Sequence, residues 1–134
     1  MSKVKVLIIA ERFWPEGSGG ELATYLITKL LAETREYQIT VLTGSNNAMK
    51  ISVGNIRYII VPHLKAKSLP ILWFNIMTNK GFYERLMIAH DIIYIPRFAY
   101  PTIPLAKKLK KKVIVHLHGY IPISLTSTIL APYE

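Results

Sequence analysis

The sequence predicts an α/β fold built on a parallel sheet, and three features carry that expectation. Val4 to Ala10 (VKVLIIA) is a nearly continuous apolar run, the pattern of a strand buried on both faces. Short strand-like runs then alternate with helical stretches along the chain, which calls for right-handed crossovers between parallel strands. Between the first strand and the first helix lies a glycine-rich loop, Glu11 to Gly20, broken by Pro15, Gly17, Gly19 and Gly20.

The remaining elements follow in order. Leu22, Leu26 and Leu30 recur at i+4, with Ala23, Ile27 and Leu31 beside them, so an amphipathic helix is expected from about Gly20 to Glu33. Thr24, Thr28 and Lys29 fall on its wet side in that reading. Gln38 to Thr43 alternates as a second strand, Ser45 to Asn55 is a polar loop, and Ile56 to Pro62 is a third strand. Leu69 to Ala89 is helical, with Pro70 admissible only in its first turn and Gly81 as the expected break. Asp91 to Pro96 is a fourth strand. Pro101 to Lys111 is a short helix with proline at entry and lysines at exit, the order the helix dipole favours. Lys112 to Leu117 is a fifth strand, followed at once by His118 and Gly119. The order is that of a Rossmann-like sheet flanked by helices. The tail from Tyr120 to Glu134 has no clear period and no capping signal, as expected of a chain cut inside a larger domain.

At 134 residues the chain has the length of one domain. It is 51% hydrophobic and 19% charged, with a mean hydropathy of +0.27, which excludes disorder. It contains no cysteine, which excludes disulfides, thiolate metal sites, iron–sulfur clusters and a cysteine nucleophile. Seventeen Lys+Arg against eight Asp+Glu give a net charge of +9, a balance that favours anionic partners without choosing among them. No secretory signal is visible, and no run reaches the ~18 apolar residues of a membrane span. The expected location is cytoplasmic, with a peripheral place at a membrane surface left open.

In an open parallel sheet, ligands bind beyond the C-terminal strand ends. Two features fall there. The loop Pro15 to Glu21 runs into a helix N-terminus, where backbone N–H groups and the helix dipole suit a phosphate or carboxylate. Ser18, Gly19, Gly20 and Glu21 are its candidate binding residues, and a flexible turn with an N-cap is the plain alternative. The loop is not a dinucleotide fingerprint: Leu22 stands where the third glycine belongs, and the second strand ends at Thr43-Gly44 without an acid. There is no P-loop. The second feature is His116-Leu117-His118-Gly119. His118 leaves the strand end, where it can hydrogen-bond a substrate hydroxyl or phosphate or titrate near neutral pH. A core histidine is the better reading of His116. With His63 and His90 on other segments and no cysteine, zinc is not expected, and no cofactor is assigned.

Lys107, Lys108, Lys110, Lys111 and Lys112 form a basic cluster. A solvated helix end explains it; near anionic lipid each such lysine would add about 1 kcal/mol. Trp73, Phe74, Ile76 and Met77 read as core, or, if exposed, as an interfacial anchor. Nucleic acid is not an expected partner, since no helix-turn-helix, RNA-binding aromatic motif or arginine–aromatic run is present.

Taken together, these residues resemble the N-terminal half of retaining GT-B glycosyltransferases of family 4. The resemblance rests on Phe13-Trp14-Pro15, on Gly19-Gly20-Glu21 before a long helix, on the strand Tyr37 to Thr43, and on the passage from His90-Asp91 through Lys112 to His118-Gly119. Pro96-Arg97 stands where the family usually has a histidine. The resemblance implies one half of a GT-B architecture, residues 1–134 being the acceptor-side domain. A nucleotide-sugar donor would be held mainly by a second, C-terminal domain, and a sugar or lipid-linked acceptor by this one. It implies that Gly19 and Gly20 face the donor phosphates or the reacting sugar, that His118 before Gly119 contacts the transferred sugar, and that Arg97 lies in the substrate site. The chain alone is expected to lack transferase turnover. Two other readings stay open: a non-catalytic module that recruits a partner subunit to a membrane surface, and another nucleotide-binding Rossmann-like domain.

Overall fold

The computed structural model describes residues 3–51 and 56–117. Five parallel strands, β1 (Val4–Ile9), β2 (Tyr37–Thr43), β3 (Ile56–Ile60), β4 (Ile92–Ile95) and β5 (Lys112–Val115), form one sheet in the order β3-β2-β1-β4-β5. Four helices connect them: α1 (Gly19–Glu33), α2 (Leu69–Thr78), α3 (Lys80–Ile88) and α4 (Thr102–Lys108). The protein is an α/β, Rossmann-like domain. The strand order reverses between β1 and β4, which opens a crevice at the C-terminal strand ends.

Alternation along β1 divides the core. Leu7 and Ile9 point to one face, where Leu42, Ile93 and Ile95 join Leu72 and Ile76 of α2, Tyr83 and Met87 of α3, and Leu105 of α4. Val6 and Ile8 point to the other, with Ile39, Val41, Tyr94, Phe13 and Ala32 of α1. A strand covered on both faces needs apolar residues at every covered position, which is why Val6 to Ile9 is apolar throughout while Lys5, at the exposed start of β1, is not.

Three expectations about helices are corrected. Helix α1 packs on the sheet through Thr24, Thr28 and Ala32, all buried, while Leu26 and Leu30 are exposed at 47% and 63%. The leucine stripe and the threonine stripe have the same period, so periodicity alone could not orient the helix. The threonines tolerate burial because their hydroxyls donate within the helix, Thr24 Oγ1 to Gly20 O at 2.9 Å and Thr28 Oγ1 to Thr24 O at 2.7 Å. The helical stretch after Pro70 breaks at Asn79, not at Gly81, which sits inside α3. Asn79 Nδ2 donates to Asn75 O at 2.7 Å and Asn79 O accepts from Phe82 N, so one residue closes α2 and opens α3. The expected core group on α2 is split as well. Ile76 is buried and Trp73 is half-buried, with its Nε1 donating to Phe98 O at 2.7 Å. Phe74 and Met77 face outward.

Gly44 follows β2 at a point of close approach. A Cβ on it would stand 2.6 Å from Lys65 N and 2.7 Å from Leu64 C, so the absence of a side chain lets the chain after β3 cross the end of β2.

Candidate functional site

At the reversal in strand order, the loops after β1 and β4 are joined by charge. Glu11 is the second residue past β1 and is 6% exposed. Arg97 follows β4 and donates from Nε to Glu11 Oε1 at 2.9 Å. The same guanidinium pairs through Nη1 with Glu21 in the first turn of α1. Phe98 N also donates to Glu11 Oε1, at 3.3 Å, and the Arg97 guanidinium lies 4.9 Å over the Phe98 ring. One cation thus serves two buried carboxylates, and the trio carries one negative charge when both are ionised. Among the described residues, Glu11 Oε2 is buried without a hydrogen-bond partner. Burial pushes the Glu11 carboxyl above its ordinary pKa, with Arg97 opposing and not cancelling the shift.

The loop between β1 and α1 is shaped around this cluster. Gly17 has φ +98°, in the left-handed region, and a Cβ there would run into the Glu21 side chain. Glu21 folds back so that its Oε2 accepts from Ser18 N at 2.7 Å, the carboxylate half of a capping box. Phe13 N donates to Ser45 Oγ at 3.0 Å, and Met49 N to Trp14 O at 2.6 Å, so the loop after β2 braces the loop after β1. The bond between Trp14 and Pro15 is cis. Gly19 opens α1, and among the described residues nothing lies within 4 Å of where a Cβ would stand.

Beside the cluster lies a cavity of about 820 Å³, lined by Glu11, Arg12, Glu16, Lys65, Lys67, Ser68 and Arg97 over an apolar wall that includes Leu72 and Phe98. Ser68 is the residue before α2, and its hydroxyl makes no capping bond. The first helical bond runs from Leu72 N to Ser68 O at 3.0 Å. The N–H groups of Leu69 and Ile71 precede it, and the dipole of α2 starts there.

Of the sequence candidates, Ser18, Gly19, Glu21 and Arg97 meet in this region, with Gly20 in the first turn of α1. His118 and Gly119 lie outside the described residues. His116 follows β5 and stacks on Tyr94, with Nδ1 2.9 Å from the Tyr94 hydroxyl. The lysines Lys107, Lys108, Lys110, Lys111 and Lys112 lie at the opposite edge, where α4 ends and β5 begins. There Lys111 Nζ donates to Ile88 O at 3.4 Å, closing the end of α3. Sequence reading did not single out Glu11, Lys65, Lys67 or Ser68. A signal for Glu11 existed: a charged residue directly after a strand buried on both faces can only sit at the strand-end crevice. Lys65 and Lys67 had no such signal, because the loop that carries them is placed by Gly44 across the sheet. Among the described residues, no group of three histidine or acidic side chains could hold a metal. No described helix is long and apolar enough to cross a membrane.

No family model matches the chain, and no curated protein matches it. Among solved structures, the chain is similar to the C-terminal domain of a hydrogenase from Pyrococcus furiosus. The two share 20% identity at a TM-score of 0.55, over 87% of this chain and 95% of that one. At that identity the likeness is one of fold.

Proposed function

We propose that this chain is the acceptor-side domain of a retaining GT-B glycosyltransferase of the family-4 type, acting with a second domain that binds the nucleotide-sugar donor. The observation that carries the reading is Gly19. Its neighbourhood is open, so nothing among the described residues demands a glycine there. A ligand that must approach the backbone at the start of α1 supplies the demand. Gly19 and Gly20 then face the donor diphosphate, whose departing charge the N-terminus of α1 stabilises electrostatically. Arg97 holds the loops after β1 and β4 at fixed spacing, and Glu21 holds Arg97. The acceptor occupies the cavity beside Glu11, and His118 contacts the transferred sugar. No resident cofactor is required.

The test uses the full-length gene product that contains this chain and measures acceptor-dependent nucleotide release from UDP- and GDP-sugars. Gly19→Ala is the diagnostic variant. It leaves the fold intact or adds up to about 1 kcal/mol of helix stability, while transfer falls by about tenfold or more through lost donor approach. Unchanged transfer in Gly19→Ala, or tight binding of FMN or NAD by the chain, overturns the reading.

One observation favours a second reading, a module docked on an anionic membrane surface. Ile71, Phe74 and Met77 are exposed along one side of α2, at 49%, 67% and 53%. Such a row can enter a lipid interface. Lys107, Lys108, Lys110, Lys111 and Lys112 lie at the opposite edge of the sheet from the start of α2. Co-sedimentation with phosphatidylglycerol vesicles that is lost in Phe74→Ser supports this reading, and failure to sediment removes it.

A further inference from the structure

We infer that the cavity beside Glu11 is a binding site for a phosphorylated polyol, with the hydroxyl end held by Glu11 and the phosphate end by Lys65, Lys67 and the start of α2. The inference deepens the proposed function by naming the acceptor class and rests on that reading only for the word acceptor.

Two independent observations meet in one cavity. One is the Glu11 carboxyl, more than nine-tenths buried, whose Oε2 has no partner among the described residues while Oε1 is already used by Arg97 and Phe98 N. Glu11 lines the cavity, and a small turn of its carboxyl would present Oε2, which lacks a hydrogen bond, to a ligand hydroxyl. The other is a basic rim. Arg12, Lys65 and Lys67 line the cavity, and so does Ser68, the residue before α2, whose side chain does not cap the helix. Arg97 is committed to Glu11 and Glu21, and Glu16 is the other acid in the lining. A ligand with hydroxyls alone would leave the rim unused. Inorganic phosphate alone would leave Glu11 Oε2 unpaired. A molecule carrying both groups answers both ends, and about 820 Å³ accommodates one of sugar-phosphate size.

The test titrates the full chain with glycerol 3-phosphate, glucose 6-phosphate, glucose and inorganic phosphate by calorimetry. The two phosphorylated polyols should bind about tenfold or more tightly than either glucose or inorganic phosphate. The surface double variant Lys65→Ser with Lys67→Ser, which leaves the core untouched, should lose about tenfold for the phosphorylated polyols. Glu11→Gln should lose affinity for the phosphorylated polyols while its weak binding of inorganic phosphate stays unchanged. A second arm uses phosphatidylglycerol vesicles. Vesicle binding displaced by free glycerol 3-phosphate assigns the same chemistry to a lipid headgroup, and soluble binding alone assigns it to a free metabolite. Equal affinity for inorganic phosphate and the phosphorylated polyols, affinity indifferent to the lysine variant, or no binding in either arm overturns the inference. No donor is present in these titrations. Binding without later sugar transfer removes only the glycosyltransferase reading, and transfer to unphosphorylated acceptors without phosphate discrimination removes only this one.

Discussion

The two edges of the sheet each bury a titratable side chain, and the two are treated oppositely. At the N-terminal edge, His90 is 8% exposed and both ring nitrogens are engaged, Nδ1 with Leu86 O at 2.6 Å and Nε2 with Thr40 Oγ1 at 2.9 Å. Nearby, Lys5 N donates to Asp91 Oδ2 at 2.9 Å. At the C-terminal edge, Glu11 is buried as deeply but keeps one oxygen unmatched. The satisfied histidine is a brace between α3 and β2. The half-satisfied carboxyl is where the fold tolerates an unfavourable arrangement, and such tolerance concentrates at functional sites.

Four measurements sharpen or break that contrast. The largest effect is expected from Arg97→Ala, which leaves Glu11 and Glu21 buried without their cation. Removing one partner of a buried ion pair typically costs about 3–5 kcal/mol, readable by urea unfolding. A loss under about 1 kcal/mol, the range of exposed pairs, would mean that the trio is solvated and the contrast false. His90→Ala comes next, at about 1–3 kcal/mol for the packing and the unmatched Thr40 hydroxyl. Its binding of phosphorylated polyols should stay at the wild-type level, since the brace lies at the far edge.

The third measurement is stability against pH, where His90 and Glu11 answer in opposite directions. Burial lowers the His90 pKa from 6.5, with Lys5 and Arg57 adding to the shift and Leu86 O and Asp91 opposing it. Its contribution is therefore complete above pH 6.5 and lost as pH falls through the folded value. His63, which meets the Tyr83 hydroxyl at 2.7 Å, is lowered as well and adds in the same sense. Glu11 is raised above 4.5, so its contribution is complete below pH 4.5 and lost as pH rises through the folded value. Glu11→Gln should abolish the second loss alone and His90→Gln should reduce the first. A Glu11→Gln profile identical to wild type would show that Glu11 titrates normally. The smallest effect belongs to Lys65→Ser with Lys67→Ser. Both side chains are exposed, so stability should shift by no more than about 0.5 kcal/mol. A larger loss would assign the lysines to the fold and not to a ligand.

The fold was legible wherever a single signal decided it. The nearly continuous apolar run Val4 to Ala10 marked a strand covered on both faces, and alternation of strands and helices marked the parallel sheet. Orientation of α1 was not legible, because Leu22, Leu26 and Leu30 compete with Thr24 and Thr28 at the same spacing. Only the hydrogen bonds of Thr24 and Thr28 back into the helix show which stripe can go inside. The break near Gly81 failed for a related reason. Glycine lowers helix propensity, but the side-chain amide of Asn79 ends a turn by bonding. At the site, Gly19 and Glu21 were visible as loop-to-helix residues, and Arg97 from the family resemblance. The partner that matters to Arg97, Glu11, is 86 positions away in the chain. Spacing carries no trace of a contact created by the reversal in strand order, and none of the crossing that brings Lys65 to the end of β2.

That crossing makes Gly44 more than filler. It lies behind the wall of the cavity, where no ligand can reach it, and the backbone of Leu64 and Lys65 rests against the space its side chain would fill. One added carbon pushes that backbone outward and moves both lysines relative to Glu11, changing the distance between the two grips without altering either. For the ligand inferred above, length preference would thereby be set by a residue of the scaffold. A shift in preferred ligand through drift or directed evolution could arise at position 44 before any residue of the lining changes.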